Sequence, residues 1–161
     1  MDQLVNGVGC VCMSAAGLEW SLGYLVHAMH GWDDETLAKM MGPPGKVWME
    51  FDKLCTERLQ PLGPDVEELR STVESLRRER NQIVHSVWLL SEAASDSPVV
   101  ELWHPRSDAT RTVVAEDLFD LANRIASAAA EVQGLTMAIL ERGQHEQDAA
   151  AQSLEPGADT D

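Results

Sequence analysis

Apolar residues recur three and four positions apart in two long stretches of the chain. In the first, Val66, Leu69, Val73, Leu76, Ile83 and Val87 keep that alternation, and the seam position between Leu76 and Ile83 is held by Arg80. In the second, Leu118, Leu121, Ile125, Ala128, Val132, Leu135 and Ile139 keep it without a break. Such spacing turns one stripe of an α-helix steadily toward a partner. It predicts helices from about Asp65, just after Pro64, to Leu89 or Leu90, and from about Glu116 to Arg142. Matched seams of this kind favour near-antiparallel packing at roughly +20°.

Shorter patterns fill the rest. Leu18, Leu22, Leu25, Val26 and Met29 predict a helix over Ser14 to His30, with Gly31 as its stop. Asp33 or Asp34 caps a short helix through Met41, and Gly42-Pro43-Pro44-Gly45 breaks it. A third helix follows from Lys46 to Leu59, burying Val47, Met49, Phe51, Leu54 and Leu59, and Pro61-Leu62-Gly63-Pro64 separates it from the next. Ser91 to Pro98 reads as a loop. Two β-branched runs, Val99 to Trp103 and Thr110 to Val114, flank a polar turn and predict a β-hairpin. An isolated hairpin is marginal in water, so Trp103 is expected to seat it on the helices. Trp20, Trp32 and Trp48 are expected to anchor packing. The fold class is therefore all-α: an up-down bundle of four to five helices with a small hairpin inserted before the last. Residues 1–143 form this domain, and the polar, acidic stretch 144–161 reads as a disordered tail.

Charge alters the picture. The 161 residues carry a formal net charge of −15 and a pI near 4.5, which argues against general affinity for nucleic acid. Arg70, Arg77, Arg78 and Arg80 nevertheless cluster on the first seam helix, offset by Glu67, Glu68, Glu74 and Glu79. Cys10, Cys12 and Cys55 show no disulfide framework, and Cys10 and Cys12 with His27 and His30 make a poor zinc pattern. No metal or cofactor is expected, since no Gly-rich phosphate loop, nucleophilic triad or metal-ligand helix is visible. No unbroken apolar run reaches the roughly 20 residues of a membrane span, and Met1-Asp2-Gln3 lacks a secretory basic region. A cytoplasmic protein without membrane contact is expected.

The candidate chemistry lies at the seam violation. A buried arginine needs a carboxylate, an escape to water or an anionic ligand. Arg80 is followed by Asn81 and, five positions on, by His85. On an ideal helix Arg80 and His85 stand about 140° apart, so the long Arg side chain must curl round, or a second copy must complete the site. Two readings are open. Arg80 pairs with a core carboxylate such as Glu19 while His85 hydrogen-bonds in the core, or both face a phosphate.

The segment Arg80-Asn81-Gln82-Ile83-Val84-His85-Ser86-Val87-Trp88 resembles the motif helix of the HEPN superfamily: Arg, a polar residue often Asn, a few mostly apolar residues, then His. The resemblance implies a helical bundle that dimerises with its motifs facing, and a metal-independent endoribonuclease of a toxin–antitoxin or other defence or stress system. It implies RNA as substrate and an antitoxin or a nucleotidyltransferase as protein partner, with a non-catalytic module binding RNA, a nucleotide or a protein as the alternative. It assigns Arg80, Asn81 and His85 to catalysis, with Glu19 in a supporting role. Arg77 and Trp88 are the further candidates for holding substrate.

Overall fold

The first helix, α1 (Asp2–His30), is the spine of the molecule. The computed structural model describes residues 2–31, 34–42, 45–59, 65–90, 100–105 and 109–153. Around α1 stand α2 (Asp34–Met41) and α3 (Lys46–Leu54), the latter running into a π-helical turn at Cys55–Leu59. They are followed by α4 (Asp65–His85), a sheet of β1 (Val87–Leu90), β2 (Val100–His104) and β3 (Ala109–Val113), and α5 (Ala115–Ser153). The architecture is the expected helical bundle with a small antiparallel sheet before its last helix.

α1 starts at Asp2 rather than at Ser14 because its buried stripe continues through small residues. Leu4, Gly7, Val11, Ala15, Leu18, Leu22 and Leu25 are all buried at three-four spacing, and Gly7 and Ala15 hold places that a search for large apolar residues overlooks. A Cβ on Gly7 would stand 2.8 Å from Leu118 Cβ, so α5 approaches there too closely for any side chain. Further along, Gln133 Nε2 donates to Ser21 Oγ at 3.0 Å, and Ser21 donates to the Gly17 carbonyl at 3.0 Å. These two crossing points make α1 and α5 parallel. α4 ends and α5 begins at the same sheet, so α4 runs antiparallel to both, as its seam predicted. α1 is also long and apolar enough to cross a membrane by length and composition, its apolar residues being interrupted by polar ones. In the bundle its inward stripe is buried. Gly31, at φ +63°, ends the helix and donates its N–H to the His27 carbonyl at 2.9 Å.

The seams of α4 and α5 are buried as expected at Val66, Leu69, Val73, Leu76 and Ile83, and at Leu118, Leu121, Ile125, Ala128 and Val132. Three boundaries differ. α4 stops at His85, and residues 87–90 form β1 instead of a last helical turn. Val87, Trp88, Leu89 and Leu90 are β-branched, aromatic or branched residues whose alternation suits a strand. Val87 and Leu89 face water, while Trp88 lies opposite Leu102. The expected hairpin thus acquires a third strand, in the order β1-β2-β3. It docks through Val100, Leu102 and Val113, and Trp103 stands half-buried on the other face of the sheet, because adjacent strand residues point to opposite faces. Finally, α5 continues past Gly143 to Ser153, so the first ten residues of the expected tail are helical. Residues 154–161, like Ser91 to Val99 and Trp32, lie outside the described residues.

Two expected core residues face solvent. Met49 is 72% exposed, and Trp20 is 54% exposed in an edge-to-face pair with Tyr24, ring centroids 5.5 Å apart. A large apolar residue on a helix is not always on its buried stripe.

Candidate active site

α4 carries Arg77, Asn81 and His85 at successive four-residue steps, which stacks them in one row along the helix. Arg80 stands beside this row on the inward side, in the seam between Leu76 and Ile83. All four line a cavity of about 450 Å³. Its opposite walls are Glu19 of α1 and Trp48 of α3, with Met41, Gly42 and Gly45 at the α2–α3 turn, and Leu18, Leu76 and Ile125 form an apolar floor. The 140° between Arg80 and His85 is bridged from both ends. Arg80 reaches out from the seam with a long, half-buried side chain, and His85 is the exposed last residue of the helix.

Arg80 has no carboxylate partner among the described residues. Its Nη1 donates to Asn81 Oδ1 at 2.8 Å, a neutral acceptor, and its buried Nε finds no acceptor among the described residues. Glu19 lines the same cavity without forming an ion pair with it, so the reading in which a core carboxylate neutralises Arg80 fails among these residues. A buried guanidinium N–H without an acceptor costs on the order of 1–3 kcal/mol. An oxyanion placed in the cavity would remove that penalty. His85 is likewise not engaged in a hydrogen bond among the described residues, which leaves both ring nitrogens free for proton transfer.

The surroundings hold these groups in place. Trp88 donates its indole N–H to the Ile83 carbonyl at 3.1 Å, and Ser86 Oγ donates to the Gln82 carbonyl. Both satisfy carbonyls that a helix end leaves orphaned, immediately around His85. Trp88 is therefore not brought to the cavity as a substrate contact. It packs against the core and secures the turn that carries His85. Arg77 lies over Trp48, its guanidinium carbon 5.8 Å from the ring centroid, a distance at which cation and π-face attract.

Electrostatically the cavity runs against the rest of the molecule. Among the described residues two arginines face it with one carboxylate, Glu19, in a chain whose formal charge is −15. The other arginines of α4 whose surroundings are described do find acids. Arg70 Nε donates to Asp52 at 2.7 Å and its Nη1 lies 3.2 Å from Glu67, and Arg78 is paired with Glu74. Between α4 and α5, Glu79 receives two hydrogen bonds from Arg124, at 2.7 and 3.0 Å, and these hold its carboxyl below the usual range.

Sequence reasoning placed Arg77, Arg80, Asn81, His85 and Glu19, and the cavity brings all five together. It missed Trp48 as a cleft wall and Met41, Gly42 and Gly45 as a rim. Nothing in the spacing tells which face Trp48 presents to α4. The zinc pattern does not assemble: Cys10 and Cys12 are exposed in the first half of α1 and His27 and His30 lie in its last turn, roughly 22–30 Å away at 1.5 Å per residue. Among the described residues no three His, Cys, Asp or Glu side chains gather as metal ligands. No protein-family model, curated protein or solved structure matches the chain.

Proposed function

We propose that this protein is a cytoplasmic, homodimeric HEPN-like endoribonuclease that cleaves RNA without a metal ion, within a toxin–antitoxin, defence or stress system. The observation that carries the reading is Arg80: a half-buried guanidinium with no carboxylate among the described residues, sharing one cavity with Asn81 and His85. In the reaction the RNA 2′-oxygen attacks the adjacent phosphorus as the P–O5′ bond breaks. The products are a 2′,3′-cyclic phosphate and a 5′-hydroxyl.

Each residue has a chemical part. Imidazoles exchange protons near neutral pH, so His85 takes the 2′-hydroxyl proton. Arg80 stabilises the charge that builds on the non-bridging oxygens with a planar fork that lysine cannot copy. Asn81 holds that fork through its Oδ1. The departing 5′-oxygen needs a second proton donor, which a second copy's imidazole supplies across a two-fold axis. An antitoxin or nucleotidyltransferase would be the natural protein partner of such a dimer.

The acidic balance of the chain favours one competing reading, a non-catalytic module that binds RNA, a nucleotide or a protein through the same cavity. Cleavage of labelled RNA in excess chelator separates the two. Wild type is expected to yield cyclic-phosphate ends, and His85→Ala and Arg80→Ala to lose roughly 10²–10³-fold or more in rate. Equal traces from all three proteins would leave only binding.

A further inference from the structure

The cavity is larger than a phosphate needs, and its second half is chemically distinct. Arg80, Asn81 and His85 occupy one end. One turn back along α4 from Asn81, about 6 Å at 1.5 Å per residue, Arg77 faces Trp48, and Glu19 of α1 lines the same cavity. The two features there that the proposed cleavage step does not use are an aromatic wall and a carboxylate.

We infer that Trp48, Arg77 and Glu19 form a base-binding subsite selective for guanine. The inference rests on the reading that Arg80 receives an RNA phosphate. Trp48 offers a π-face and Arg77 a planar cation, the two kinds of surface on which single-stranded bases stack. Stacking is indifferent to base identity, so selection falls to Glu19. A carboxylate is acceptor-only with two oxygens. Guanine alone among the four bases presents two adjacent donors, N1–H and the N2 amino group, on its pairing edge, and these match the two oxygens in parallel. Adenine and cytosine set a ring-nitrogen acceptor beside their amino group, and uracil sets carbonyls on both sides of its single N–H, so each turns a lone pair toward the carboxylate. Glu19 is half-buried in the cavity wall and makes no ion pair among the described residues, although Arg77 and Arg80 line the same space. Its oxygens are therefore free to receive those donors.

Equilibrium binding of the 3′-monophosphates of guanosine, adenosine, cytidine and uridine to the full chain, followed by intrinsic tryptophan fluorescence and by calorimetry, tests this. Wild type is expected to bind the guanosine nucleotide about ten- to hundredfold more tightly than the other three, the discrimination of one bidentate base contact. Glu19→Gln should bring all four within about threefold of one another, while Arg80→Met weakens all four alike and keeps the preference. Unchanged thermal melting of both variants secures the comparison. Wild-type affinities within threefold of one another, a preference that survives Glu19→Gln, or no binding of any nucleotide at millimolar concentration would each overturn the subsite. Cleavage is scored separately: selective guanosine binding without chelator-resistant cleavage removes the nuclease reading and leaves the subsite standing.

Discussion

α1 packs on two sides under opposite rules. Against α5 it is closed: Gly7 admits Leu118 at van der Waals distance, and Ser21 and Gln133 satisfy one another. Against α3 and α4 it leaves a cavity in which Glu19, Arg80 Nε and His85 have no protein partner among the described residues. Acids are not scarce in this chain, which has 27 Asp and Glu against 12 Lys and Arg. Arg70, Arg78 and Arg124 all find one, and Arg80 does not. The difference teaches that the open polar atoms reflect placement rather than supply. Arg80 combines a buried N–H with the lack of an acid among the described residues.

The strongest challenge to that contrast is Arg80→Met. It should lower cleavage by roughly 10²–10³-fold while leaving the melting temperature unchanged or raised, because it removes an orphaned buried N–H and keeps the apolar stem. A fall of several degrees would mean that Arg80 is structural. On the closed side the expectation reverses. Gly7→Ala forces a Cβ onto Leu118 and should destabilise by about 1–3 kcal/mol, a loss of a few degrees, with cleavage per folded molecule unchanged. Calorimetry and a rate normalised to folded protein read both.

The paired arginines supply smaller effects. Glu79→Gln breaks the contact to Arg124 and should cost about 0.2–1 kcal/mol at neutral pH, since the pair is partly exposed. The carboxyl is held low in the fold, so its contribution is present above the ordinary 4.5 and disappears as pH falls through the lower folded value. Wild type and variant should converge in denaturant titrations at acid pH, and a gap that persists there would contradict the pairing. The smallest effect concerns Cys55. Burial pushes its thiol up to about 12, against an ordinary 9.0, so the fold favours the protonated form and loses this contribution as pH rises from about 9. Cys55→Ala should flatten that alkaline limb. A thiol reagent should modify exposed Cys10 and Cys12 in the native protein and reach Cys55 only on unfolding.

Much of this was legible beforehand. The seams of α4 and α5 and the stop at Gly31 follow from spacing and glycine chemistry, which act locally. The row Arg77, Asn81, His85 needs only the helical period, and the oddity of Arg80 needs only its neighbours at positions 76 and 83. The misses share a cause. Gly7 and Ala15 lie on a buried stripe because another helix comes close, and residues 87–90 form a strand because β2 stands ready to pair with them. Trp20 and Met49 face water although their size suggested the core.

Periodicity and composition thus establish the helices, their buried stripes and the presence of one misplaced cation, since each depends on residues within a few turns of one another. Whether that cation meets an acid, and whether Trp48 and Glu19 stand opposite it, depends on how α1, α3 and α4 come together. Packing sets that arrangement across stretches far apart in the chain, and no local pattern carries it.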